Sequence, residues 1–167
     1  MNGDHERDTA LAQAVRLREE GRAAEARGRL VTLAERYPRD ARIAYQTAWV
    51  HDVLGLESEA VPYYERALDL PGLPQEDRHG AFLGLGSTYR VLGRYEPALR
   101  TLRSGLAEFP HDAALESFLA MALYNTGQGR EAVRTLLRAL AATSGDSRVR
   151  SYRRAIEHYA DDLDATE

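Results

Sequence analysis

The stretch GAFLGLGSTYRVLG, residues 80–93, holds four glycines. Gly84-Leu85-Gly86 has the first two glycines of a dinucleotide-binding loop, in which backbone N–H groups cradle a pyrophosphate at a helix N-terminus. That loop needs a preceding strand and a third glycine at its sixth position. Tyr89 stands there, and the flanking residues have a helical pattern. The five histidines are the other residues with chemical potential: His5, His51, His79, His111 and His158. His51 falls at a core-facing helical position and reads as a hydrogen-bonded core histidine. His158 with Asp161 and Asp162 has the spacing of metal ligands on one helix face, but one imidazole and two exposed carboxylates form a weak set. No H-E-x-x-H, G-x-S-x-G or C-x-x-C motif occurs. Cysteine is absent, which excludes disulfides, thiol nucleophiles and zinc–thiolate sites. Lysine is absent too, since all 22 basic residues are arginine, so a phosphate-loop lysine and a Schiff base are impossible. The expectation is a chain with no catalytic residue, no cofactor and no metal site. An enzyme using His51 or His158 is the alternative from another class.

The elements that position these residues follow from an internal repeat. GRAAEA at 21, GLESEA at 55, GRYEPA at 93 and GQGREA at 127 align, with glycines 34, 38 and 34 residues apart. Each glycine is followed five residues later by alanine: Ala26, Ala60, Ala98 and Ala132. Tyr37-Pro38 and Phe109-Pro110 close two of the repeats. A unit of this length and punctuation resembles the tetratricopeptide repeat, over residues 8 to about 144. The wording LGLGSTYRVLGRYEPAL is most similar to a small bacterial subgroup, tetratricopeptide repeat group 5. The resemblance implies an all-α, right-handed solenoid of four helical hairpins, used as a non-catalytic scaffold for protein partners. Its repeats fall at about 7–40, 41–74, 75–112 and 113–146 of a single domain, 1–167, with a capping helix at about 147–164.

Local chemistry agrees. Asp40, Asp112 and Asp146 precede helical patterns and are good N-caps. The repeat glycines stand where a left-handed residue ends a helix. First helices are expected near 5–20, 41–54, 75–92 and 113–126, and second helices near 23–36, 57–69, 95–108 and 129–142. The extra residues in PGLPQEDR start the third first-helix one turn early. Pro62 should kink its helix or lie in the first turn. Val149, Tyr152, Ile156, Tyr159 and Leu163 recur as one apolar stripe, which should cover the second helix of repeat 4.

Within each first helix, one face points away from the hairpin core. It holds Arg42, Gln46, Trp49 and Val53 in repeat 2; Gly80, Gly84, Ser87 and Val91 in repeat 3; and Ala114, Phe118, Met121 and Asn125 in repeat 4. A face of this kind should be mostly polar, yet it carries the only tryptophan. In the family these positions line a concave groove. The expected partner site is a groove with Trp49, Phe118 and Met121 as walls and Gly80 and Gly84 as floor. Tyr45 and Tyr124 are placed at its margins, Arg42 and Arg90 supply charge, and Gln46, Ser87 and Asn125 complete it. The alternatives are burial of these side chains between neighbouring first helices, and a homodimer through the same face. The positions of a carboxylate clamp hold Tyr45, Trp49, Gly84, Ala114 and Phe118, so a chaperone-tail adaptor is not expected. The basic run RVRSYRR, 148–154, reads as a solvated face.

Net charge is −4, which gives no general attraction to nucleic acid or anionic membrane. MNGDHERDTA lacks the apolar core of a signal peptide. The longest apolar run, 118–124, is too short to span a bilayer. A cytoplasmic protein that binds a protein or peptide partner, with no nucleic acid or membrane involved, is the reading that results.

Overall fold

The structure is a computed structural model and describes residues 2–166. Among them are ten α-helices: α1 (Asn2–Glu19), α2 (Ala23–Arg36), α3 (Ala41–Val53), α4 (Glu57–Asp69), α5 (Gln75–Val91), α6 (Tyr95–Glu108), α7 (Ala113–Asn125), α8 (Gly129–Thr143), α9 (Ser147–Ser151) and α10 (Arg153–Asp161). No strand occurs among the described residues. The helices form two compact units, one ending at Leu92 and one beginning at Gly93.

The ends of the helices follow from the chemistry of their caps. Asp40 accepts hydrogen bonds from the N–H groups of Arg42 and Ile43, and Asp146 from those of Arg148 and Val149. Asp112 accepts from Leu115 N–H. Each satisfies donors that the first helical turn leaves unpaired. At the other end, Gly21, Gly55, Gly93 and Gly127 have φ between +70° and +79°. That left-handed conformation is costly for any residue with a Cβ. It turns the chain so that the next N–H reaches back to the helix, as Leu56 N–H does to His51 O (2.9 Å) and Gln128 N–H to Leu123 O (2.9 Å). α5 has 17 residues against 13 in α3 and α7, the early start that Pro74 and the following acidic residues predict. α4 runs through Pro62 without interruption.

In the first unit, α2 packs on α1 and α3, and α4 on α3 and α5. Small residues set the approach: Ala14, Ala26, Ala48, Ala60 and Ala81 are fully buried. Gly86 is buried at the site corresponding to Ala14 and Ala48. His51 is 2% exposed. Its Nδ1 lies 2.7 Å from Thr47 O, and Arg27 Nε donates to its Nε2 at 3.1 Å. These partners fix a ring with its proton on Nδ1, stacked on Tyr63 at 5.3 Å.

In the second unit, α7 packs on α6 and α8, and α10 packs on α8. The capping segment departs from expectation. It is broken at Tyr152 (φ −98°, ψ 8°) into α9 and α10 rather than running as one helix. Only part of the stripe is covered. Val149, Ile156 and Leu163 are half-buried and Ala160 is fully buried, but Tyr152 and Tyr159 are 68% and 55% exposed. The cause is in the sequence. Thirty-four residues after the buried Leu119 and Ala120 of α7 stand Arg153 and Arg154. Two guanidinium groups cannot take core positions without buried partners, so the chain breaks before them, α10 turns, and Arg153 pairs with Glu157 at the surface instead (2.9 Å).

Candidate functional site

The candidate site in the first unit is built on α1, α3 and α5. Along α3 the outward face divides. Tyr45 and Gln46 are buried, at 6% and 9% exposure, whereas Trp49 and Val53 are 40% and 54% exposed. Tyr45 is therefore a packing residue and not a groove margin. Its ring lies over Gly80: a Cβ added there would stand 2.2 Å from Tyr45 Oη. Gly84 is likewise filled. A Cβ there would stand 2.5 Å from both Cζ and Oη of Tyr64. The two glycines admit tyrosine rings from α3 and α4 to the backbone of α5, which corrects the picture of an open glycine floor. Ser87 and Arg90 are half-buried on α5, and Arg90 Nε is buried without a hydrogen-bond partner.

A chain of contacts runs through these residues. Arg18, 8% exposed, donates to Gln46 Oε1 and lies 3.6 Å above the indole of Trp49. An arginine with its stem buried and its guanidinium stacked on an aromatic face keeps its charge at reduced cost. Burial nonetheless pulls its pKa down. Trp49 in turn meets Tyr45 at 5.7 Å between ring centroids, and Tyr45 meets Tyr64 at 6.3 Å. Burial, reinforced by the charge of Asp77, pushes the Tyr45 phenol up to about 12. Tyr64 donates to Asp52 Oδ2 at 2.7 Å, and Thr88 Oγ1 donates to the same carboxylate at 3.0 Å. Asp52 thereby joins α3, α4 and α5. Burial raises its pKa, and the two hydroxyl donors work against that rise.

Beside this buried chain lies a cavity of about 340 Å³, lined by Ala12, Val15 and Glu19 of α1, Arg42 and Gln46 of α3, and Asp77 of α5 among others. Its charged rim is mixed. Burial raises the pKa of Asp77, and the nearby Arg42 guanidinium lowers it. The contribution of α1 is absent from the expected groove, although Ala12, Val15 and Glu19 occupy the same register as Gln46, Trp49 and Val53; extending the repeat count to the first glycine finds them.

In the second unit, α7 presents Met121 and Tyr124 at 43% and 74% exposure, with Asn125 exposed and Phe118 half-buried. Among the described residues no group of three or more histidines and carboxylates is placed to hold a metal ion. None of the described helices is long and apolar enough to cross a membrane.

Residues 41–163 match the family model described as tetratrico peptide repeat. The chain belongs to the tetratricopeptide-repeat family. Solved structures of the fold agree. The chain is similar to the crystal structure of MamA protein (TM-score 0.72, 16% identity, covering 96% of this chain and 78% of that one). It is similar to Pseudomonas aeruginosa PilF (TM-score 0.70, 16% identity, covering 100% and 80%). It also resembles MamA residues 41 to the end from Desulfovibrio magneticus RS-1 (TM-score 0.66, 18% identity, covering 95% and 97%). At these identities the likeness is one of fold. A search of curated proteins gave no match.

Proposed function

We propose that this protein is a non-catalytic interaction scaffold that holds an extended or helical peptide segment on the first-helix face of its repeats. The observation that carries this reading is Trp49. It is the chain's only indole, and it stays 40% exposed while its neighbours Tyr45 and Gln46 are buried. Arg18 and Tyr45 hold the ring from within, so its free part is presented in one orientation. A rigid, half-exposed aromatic side chain is the usual anchor of a protein interface. The adjoining cavity, with Arg42 and Asp77 on its rim, supplies charges of both signs to orient a ligand backbone or side chain. Val53 and Val91, 54% and 58% exposed, extend the apolar surface of this unit. Met121 and Tyr124 offer a second such surface on α7. Membership of a family of binding scaffolds supports the class of function.

The test is selection of peptides from a random library on the wild-type protein, followed by calorimetric titration into wild type and Trp49→Ala. Peptides that lose tenfold or more in affinity for a Trp49→Ala protein of unchanged melting support the reading. Peptides that bind both proteins equally, or a library that yields no binder, contradict it.

A further inference from the structure

Arg18 on α1 is the one buried arginine among the described residues, at 8% exposure. Its guanidinium has two close neighbours, and neither is an anion. It donates to the amide oxygen of Gln46 and stacks on the indole of Trp49, 3.6 Å from the ring centroid. Among the described residues no carboxylate forms an ion pair with it; Glu19 and Asp77 act on it from a distance. Other charges of the same unit are better served. Arg7, whose side chain is 26% exposed, has Asp4, Asp8 and Asp40 around it. Asp52, which holds the register of Arg18 one repeat on, receives hydroxyl donors from Tyr64 and Thr88. A buried charge is ordinarily matched by an opposite charge or by a full set of hydrogen bonds. Arg18 brings the several N–H donors of a guanidinium and meets one neutral acceptor.

This guanidinium also lies beside open space. Gln46, its acceptor, lines the cavity of about 340 Å³, so one amide side chain stands between the charge and the cavity. Trp49, on which it stacks, is 40% exposed. On the cavity wall Arg16 and Arg42 are matched in number by Glu19 and Asp77, so the charge left without a counter-ion is that of Arg18. We propose that Arg18 sets the specificity of this surface by receiving an aspartate or glutamate side chain of the bound peptide, whose carboxylate takes the place of the Gln46 amide while the adjoining part of the peptide lies on Trp49. This inference rests on the reading of the Trp49 face as a peptide-binding surface and adds the chemistry of its ligand. A carboxylate accepts two parallel N–H bonds from a guanidinium, which a glutamine amide cannot do. Stacking on Trp49 holds the guanidinium plane before the peptide arrives, which lowers the cost of binding. An uncharged isostere in the peptide would leave the buried charge as it was, so the site favours the acid over the amide.

The probes are peptides selected on the wild-type protein from a random library, each made again with its aspartate or glutamate changed to asparagine or glutamine. Calorimetry compares the two forms on wild type, Arg18→Met, Gln46→Ala and Trp49→Ala. The acid form should bind wild type tenfold or more tightly than the amide form. Arg18→Met keeps the bulk of the side chain and removes its charge. It should melt no lower than wild type, because a buried unpaired charge has been replaced by an apolar group, and it should bind the two forms within twofold of each other. Gln46→Ala leaves the guanidinium in place and uncovers it, so it should keep the tenfold preference; this variant decides the matter if Arg18→Met misfolds. Peptides that need Trp49 but bind equally well as acid or amide overturn the role of Arg18 and leave the binding surface standing. A preference for the acid that persists in Arg18→Met, or disappears in a folded Gln46→Ala, overturns it as well. Acidic peptides that depend on Arg18 but not on Trp49 uphold the role of Arg18 and remove Trp49 as the anchor. A library without binders overturns both.

Discussion

The ring of Tyr64 sits directly on the backbone of Gly84, so close that a Cβ on that residue would lie 2.5 Å from the ring's Cζ. Helical glycine ordinarily costs about 1 kcal/mol against alanine, and Gly84→Ala in an open helix would be stabilising. Here the sign reverses. Gly84→Ala should destabilise the protein by about 1–3 kcal/mol through overpacking, and Gly84→Leu by more. A urea titration of Gly84→Ala, Tyr64→Ala and the double variant checks this, with the double variant less damaged than the sum of the singles. A Gly84→Ala protein more stable than wild type would refute the contact.

Asp52 sets the expected pH dependence. Burial raises its folded-state pKa above the ordinary carboxylate value. A group shifted this way favours the folded state most when protonated, so its contribution is fully present below the unfolded pKa and is lost as pH rises through the folded one. Between neutral pH and about pH 4, the stability of wild type relative to Asp52→Asn should therefore rise as pH falls. Denaturant midpoints of the two proteins across that range measure it. Parallel profiles would show that the Tyr64–Asp52–Thr88 junction does not titrate in this way.

Tyr45 gives a second titration. With its phenol at about 12, it should ionise after the exposed tyrosines. The absorbance titration of Tyr45→Phe should lack a late component that wild type has. Loss of an early component instead would mean that Tyr45 is solvated.

The capping segment is held by a small contact. Ala160 is its one fully buried residue. Ala160→Glu should detach α10 from α8 and speed tryptic cleavage at Arg153 and Arg154, with α1 to α7 retaining their helicity. Unchanged cleavage would show that the cap is held elsewhere.

The helices were legible because repeat glycines and capping aspartates are local signals. Gly21, Gly55, Gly93 and Gly127 mark chain reversals that need no tertiary context, and Asp40, Asp112 and Asp146 cap in place. The site was legible only in register. Periodicity puts Tyr45, Gln46 and Trp49 near one another on α3, but it does not say which of them meets a neighbour. Tyr45 is buried because Gly80 admits its ring, whereas Trp49 has Arg18 stacked on one face and stays 40% exposed. Both causes lie on other helices. The break at Tyr152 was readable from Arg153 and Arg154, had the capping helix been aligned on α7 as a fifth repeat.

The central claim is that the exposed part of Trp49 is the anchor of a peptide-binding surface. Because it is the only indole, its emission reports that surface alone. The direct measurement is acrylamide quenching of Trp49 fluorescence with and without a saturating peptide selected on the wild-type protein. The account predicts an emission shift on binding and a quenching constant that falls severalfold as the peptide covers the ring. A peptide that saturates the protein, by calorimetry, while leaving Trp49 emission and quenching unchanged would contradict it.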